Sequence, residues 1–338
     1  MPPKTSILIV GGGAVGSLAA YALSRSGQCH ITLVCRSNYA AVSHDGLKIS
    51  SITHGKNITY HPDEVVNTVP SAPSQNPYEY IVLTTKNTPD LTPTAAELIS
   101  PAITPNHTTI ILHQNGINIE KPFEEKYPHN SILSGISLIG ASETSPGVIQ
   151  HDEPDVSLIG PFTPTSTSIS SAQKFVALYS HCPGVKCSFD ENVPFTRWRK
   201  LLYNASYNSS AALLGLDVIR MRMSEFLISD LVKPVMGEVR AVAKASAGVE
   251  LPAHLDEEMI LSDSVEGNFM PSMGQDVRKG NPIEVENIVG EVVREARKCD
   301  VQVPVLGTVY TLLRGVQLRI LEQKGLWGPG WREGNPYR

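Results

Sequence analysis

Lys200, Asn204 and Asn208 recur at four-residue intervals in the segment Arg197-Trp-Arg-Lys-Leu-Leu-Tyr-Asn-Ala-Ser-Tyr-Asn208. On a helix that spacing puts an ammonium and two carboxamides on one face. Such a face supplies a proton donor and several hydrogen-bonding groups for an oxygen-rich small molecule. A solvated face is the ordinary fate of Lys and Asn. Here the neighbours Leu201, Leu202, Tyr203, Ala205 and Tyr207 are mostly apolar and leave limited scope for one. A second polar cluster runs from Pro271 to Glu284 (PSMGQDVRKGNPIE) and leads into an amphipathic pattern that starts near Glu284. Taken as residues alone, Ser272 is a helix cap and Glu284 a first-turn acid stabilised by the helix dipole.

A different chemistry sits at the N-terminal end. Gly11-Gly12-Gly13-Ala14-Val15-Gly16 places G-x-G-x-x-G directly after an apolar run and at the start of a helical pattern. Gly11 allows a tight turn, Gly13 lets the backbone approach a pyrophosphate, and Gly16 lets helix and strand pack closely. The helix N-terminus adds free amide donors and a partial positive charge. The next apolar run ends Val34-Cys35-Arg36-Ser37-Asn38, with no acid before Asp45. An acid there would hydrogen-bond the ribose hydroxyls of NAD, whereas Arg36 offers a fork of donors to a 2′-phosphate. NADP(H) is therefore expected over NAD. Two further runs end in Thr84-Thr85-Lys86 and His113-Gln114-Asn115-Gly116. Ligands of open α/β sheets gather at such strand ends, which singles out Lys86 and Asn115. By themselves they are equally a solvated loop lysine and a turn.

These groups need elements to hold them. At 338 residues the chain exceeds one ordinary core, so two domains are expected. Apolar runs without alternation (Ser6–Val10, Ile31–Cys35, Tyr80–Thr85, Thr108–His113, Ser131–Ile139) suggest strands covered on both faces. Helical patterns lie between some of them, at Ala14–Ser26 and Leu91–Ile99. The expected fold is α/β: an N-terminal Rossmann-type doubly wound parallel sheet over residues 1–190, then an all-helical C-terminal domain over 191–338. Helices are predicted over Phe195–Leu214, Phe226–Ala247, Asp256–Asp263, Glu284–Cys299 and Leu306–Lys324. Thr68–Pro77 and Pro161–Ser171 have loop compositions. Gly147–Gly160 looks like a hairpin extending the sheet, and Gly325–Arg338 like a surface tail.

Hydrophobic residues at 41%, charged residues at 18% and a formal charge of −5 suit a globular protein without a whole-molecule attraction for nucleic acid or anionic membrane. The apolar Ser6–Leu23 stretch lacks the basic region and cleavage site of a signal peptide. No other stretch approaches a membrane span. Five scattered cysteines read as reduced thiols with no metal-ligand spacing, in a cytoplasmic protein.

In order, GGGAVG, TTK, HQNG, RWRKLLYNASYN, PSMGQD and NPIEVE resemble the ketopantoate reductase family over roughly residues 5–305. The resemblance implies reduction of the small 2-keto acid 2-dehydropantoate to pantoate by NADPH, on the route to pantothenate. It implies Lys200 as general acid and Glu284 beside both substrate and cofactor, with Asn204, Asn208 and Ser272 binding substrate. Arg36 would face the 2′-phosphate, with Lys86, Asn115 and Ala141 lining the cofactor site. The helical domain would close over the nicotinamide, and a homodimer is compatible with the sequence. Ser209–Ala212 and Val218 depart from the family's pattern and leave another 2-keto acid open as substrate. A non-catalytic NADP-binding sensor on the same fold is the other rival.

Overall fold

The aliphatic run after Lys4 forms β1 (Thr5–Val10) of a computed structural model that describes residues 3–331 and 333–338. The other strands are β2 (Cys29–Val34), β3 (Leu47–Ser51), β4 (Gly55–Tyr60), β5 (Glu64–Val66), β6 (Tyr80–Leu83), β7 (Thr109–Leu112), β8 (Ile132–Ser137), β9 (Ala141–Ser145), β10 (Val148–His151), β11 (Val156–Pro161) and β12 (Lys186–Phe189). Eight of them form the main sheet in the order β12-β11-β8-β7-β6-β1-β2-β5. The run from β8 to β5 is parallel, while β11 lies antiparallel to β8 and carries β12 with it. The sheet is thus mixed at one edge.

The absence of alternation in the apolar runs has the expected cause. In β1, Ile7 and Ile9 pack into one core with the helix Ala14–Ser24, and Leu8 and Val10 pack into the other with Ala96, Ile99 and Phe123. All four strand residues are at most 1% exposed, so neither face can tolerate a polar side chain. The chain passes from β1 to β2 on one side and returns to β6 on the other. The crevice at their carboxyl ends is therefore the topological switch point, where open α/β sheets bind ligands.

Several sequence expectations give way. Gly147–Gly160 is not a hairpin: β10 joins a second sheet of order β4-β3-β10-β9, and β11 joins the main one. Short polar strands such as β4 carry little apolar signal, which is why that sheet escaped the sequence reading. The second half of Pro161–Ser171 is helix. Thr165 and Ser168 form a reciprocal capping box that starts Ser166–Tyr179, and the Ser/Thr-rich composition was cap chemistry rather than loop. The helix expected over Leu91–Ile99 shrinks to Ala95–Leu98, started by a second capping box at Thr94.

The chain divides into two compact units, Met1–Arg197 and Trp198–Arg338, and the division falls inside the helix Val193–Tyr203. Among the described residues the second unit contains helices only. Three of its turns are wide π turns, Asn204–Asn208, Ile228–Val232 and Glu286–Gly290. Leu326, Trp331 and Tyr337 of the tail are exposed.

Candidate functional site

In the first unit the glycine turn is built by close approach. Gly11 takes φ +118°, and a Cβ there would lie 2.8 Å from Thr84 Oγ1. A Cβ on Gly16 would run into the Gly11 carbonyl, so the helix can sit this close to the turn only with glycine. Thr84 Oγ1 donates to the Gly11 carbonyl at 2.7 Å and ties the end of β6 to the turn. Gly12 packs on the Cys35 thiol, which burial, reinforced by the Glu143 carboxylate, pushes up to about 12. Cys35 is therefore a packing residue, protonated at neutral pH.

Gly13 is the exception. It is exposed, and a Cβ built on it would meet nothing within 4 Å. It is also the N-cap of the helix Ala14–Ser24, which receives no side-chain cap. The first-turn amides receive no side-chain cap and the space beside Gly13 is open, as the approach of a pyrophosphate would require. Ala14 and Val15 follow it half-buried in that first turn.

The other candidates of this unit are spread around the switch point. Arg36 is exposed just past the end of β2, whose Val34 pairs with Val10 of β1. Lys86 is exposed beyond the end of β6, and Asn115 is half-buried beyond the end of β7. Gln114 joins those two ends by donating to the Thr85 carbonyl at 2.8 Å. Ala141 opens β9 on the second sheet, opposite His151, and packs on the core shared with the helix Ala14–Ser24.

One link between that sheet and the glycine turn was not legible. Asn38, 5% exposed, donates from Nδ2 to the Gly12 carbonyl at 2.7 Å and to Glu143 Oε1 at 2.8 Å. Its partner is 105 residues away in sequence, so no local pattern could have singled it out.

In the second unit the polar face is not solvated. Asn204 is 7% exposed and Asn208 2%, with Lys200 half-buried, in a wall formed by Leu201, Leu202 and Ala205. The π turn over Asn204–Asn208 widens the helix to an i→i+5 pattern, so Asn208 is re-aimed from the straight α-helical face that the spacing implied. Asn208 Nδ2 donates to Ser272 Oγ at 3.0 Å, and its Oδ1 accepts the Met273 N–H at 2.6 Å. It thereby caps the helix Ser272–Arg278, whose N-cap Pro271 offers no side-chain oxygen.

Glu284 is 3% exposed. The preceding Ile283 donates its N–H to the buried Gln317 Oε1 at 2.9 Å, and the Glu284 carbonyl accepts the Ile288 N–H at 3.1 Å. Glu284 is thus held on both sides by hydrogen bonds to the main chain. The π turn Asn204–Asn208 packs against both the π turn Glu286–Gly290 and the helix Ser272–Arg278. The segments carrying the amides, Ser272 and the start of the Glu284 helix therefore meet. Gln317 is the residue missed here, since a Gln within the apolar pattern Pro304–Gln323 carries no sign of its partner. Among the described residues no group of three or more His, Cys, Asp or Glu could hold a metal ion, and no helix is long and apolar enough to cross a membrane.

The first unit thus carries an open glycine turn at the switch point of a doubly wound sheet, and the second a largely buried polar face among helices. The patterns described as "Ketopantoate reductase PanE/ApbA" and "Ketopantoate reductase PanE/ApbA C terminal" match residues 7–164 and 192–317. An uncharacterized protein of Saccharomyces cerevisiae is 35% identical over 95% of this chain and 96% of its own length. A 2-dehydropantoate 2-reductase of Nostoc sp. is 26% identical, over 90% of this chain and 93% of its own. The crystal structure of 2-dehydropantoate 2-reductase from Methylococcus capsulatus superposes with a TM-score of 0.78 at 29% identity, covering 93% of this chain and 97% of that one. The chain belongs to the ketopantoate reductase family.

Proposed function

We propose that the protein reduces a 2-keto acid with NADPH, and that the acid is 2-dehydropantoate, giving pantoate for pantothenate synthesis in the cytoplasm. The observation that carries this reading is the burial of Asn204 and Asn208 in a turn that packs against Ser272–Arg278 and Glu286–Gly290, with Glu284 buried just before the latter and Lys200 on the helix that leads into the asparagines. Carboxamides, a hydroxyl, an ammonium and a carboxylate gathered on packed helical segments match the donors and acceptors that a small 2-keto acid requires.

The glycine cradle, Arg36, Lys86, Asn115 and Ala141 would hold NADPH, which when bound supplies a hydride. Arg36 would take the 2′-phosphate through its guanidinium fork. Asn204, Asn208 and Ser272 would hold the carboxylate and hydroxyl of the keto acid. Lys200 would donate the proton to the carbonyl oxygen as charge develops there, and Glu284 would orient the Lys200 ammonium and accept from the nascent hydroxyl. The product is the 2-hydroxy acid, with both a hydride at carbon and a proton at oxygen accounted for.

The test is kcat/KM for 2-dehydropantoate and a panel of simpler 2-keto acids, each with NADPH and NADH. The reading expects 2-dehydropantoate with NADPH to give the highest value. A different keto acid leading the panel would move the substrate, NADH leading would remove Arg36 from its role, and no oxidation with any acid would leave a nucleotide-binding protein without this activity.

A further inference from the structure

Arg197 carries a charge that the reaction above does not use. It is 3% exposed and makes four hydrogen bonds, all to neutral acceptors. Nε donates to Ser134 Oγ at 2.9 Å, Nη1 to the carbonyls of Gln114 at 3.1 Å and Gly116 at 2.8 Å, and Nη2 to the Leu112 carbonyl at 3.2 Å. The Phe162 ring covers the guanidinium, 4.7 Å from its carbon. Burial lowers its pKa to about 10, against the opposing pull of Glu120 and Asp190, so the group remains charged at neutral pH.

Burying a guanidinium is costly, and a packing role alone would be met by an aliphatic side chain. What the charge does is grip alternate carbonyls, 112, 114 and 116, of the segment that ends β7. Two of them flank Asn115. Gly116, at φ +101°, completes a backbone path that only glycine follows easily. Gln114, gripped through its carbonyl, uses its side chain to hold the Thr85 carbonyl next to Lys86. One guanidinium therefore sets the ends of both strands on the β7 side of the switch point, away from β2 and Arg36.

We propose that Arg197 is a positioning residue for the nicotinamide half of the bound dinucleotide, acting through the Leu112–Gly116 segment and Gln114. The proposal rests on the cofactor reading above. Planar, multidentate hydrogen bonding is what Arg offers and Lys lacks, so Arg197→Lys keeps the charge and loses the grip. Ser134→Ala, which removes one of the four acceptors, is the milder companion.

The test is calorimetric titration of each variant with two ligands, NADPH and an adenosine bisphosphate fragment that keeps the 2′-phosphate but lacks the nicotinamide. Arg197→Lys is expected to weaken NADPH by at least about tenfold, the scale of one charged hydrogen bond. Affinity for the fragment should stay within about twofold. Ser134→Ala should show the same split at about threefold, and it carries the test if the lysine variant does not fold. A proportional loss of both ligands would make Arg197 merely structural, and unchanged NADPH affinity would remove it from the site. Either overturns the proposal. Wild-type protein that binds neither ligand would instead overturn the cofactor reading, and this inference with it.

Discussion

Replacing Asn208 by alanine separates a clamp from a substrate contact. The wild-type side chain is 2% exposed and both its ends are engaged, Nδ2 with Ser272 Oγ at 3.0 Å and Oδ1 with the Met273 N–H at 2.6 Å. Alanine leaves the Met273 amide buried at a helix start without an acceptor, at about 1–3 kcal/mol. Ser272 is half-buried and can turn to water, so its lost bond adds about 0.5–1 kcal/mol. The sum of about 1.5–4 kcal/mol corresponds to a fall in Tm of roughly 2–6 °C for a chain of this size. Asn208→Asp keeps an acceptor for Met273 and puts a negative charge at a helix N-terminus, where it is favourable. It should recover most of the stability. The same charge would repel a keto-acid carboxylate, so kcat/KM should fall at least about tenfold through KM. Calorimetric Tm and steady-state kinetics on the two variants decide the matter. An alanine variant that melts within a degree of wild type would refute the clamp, and an aspartate variant with unchanged KM would refute the substrate contact.

The glycine turn makes opposite predictions three residues apart. Gly16→Ala meets the Gly11 carbonyl and should destabilise the first unit, whereas Gly13→Ala meets nothing and should change unfolding free energy by no more than about 1 kcal/mol while weakening dinucleotide binding. Urea unfolding and NADPH titration check the pair, and equal stability losses would contradict the packing described. His54 predicts a pH dependence. Burial alone would lower its pKa, but hydrogen bonds with Asp155 at 3.3 Å and with the Cys182 thiol raise it to about 9. A raised folded-state value means that the stabilisation is complete below the unfolded value of about 6.5 and is lost as pH rises towards 9. Wild type should lose on the order of 1–3 kcal/mol over that window, and His54→Gln should flatten the loss. Parallel urea curves at the two ends of the window, showing the same loss in the variant, would count against the pairing.

Much of this architecture was legible because local chemistry and tertiary role coincide. Ile7 to Val10 are apolar without alternation because both sheet faces are covered, and Gly11 to Gly16 are glycine where backbone must approach backbone. The burial of Asn204 and Asn208 was foreshadowed by their neighbours Leu201, Leu202 and Ala205. What escaped depends on partners far away in sequence. Asn38 meets Glu143, Arg197 meets carbonyls more than 80 residues earlier, and Gln317 meets Ile283. Backbone carbonyls have no sequence signature at all. The π turn at Asn204–Asn208 was missed for another reason, since spacing rules assume the α-helical period that the turn abandons. The four-stranded sheet was missed because its strands are short, four to six residues, and β4 and β9 are mostly polar.

If Lys200 gives the proton in a hydride transfer from NADPH, its removal slows the transfer itself. The most direct measurement is a single-turnover experiment on Lys200→Ala, with bound NADPH mixed against saturating 2-dehydropantoate and followed by loss of nicotinamide absorbance. NADPH affinity is expected to stay close to wild type and the hydride-transfer rate to fall at least about 10²-fold, the usual worth of general acid catalysis. A near-normal rate in that variant would contradict it.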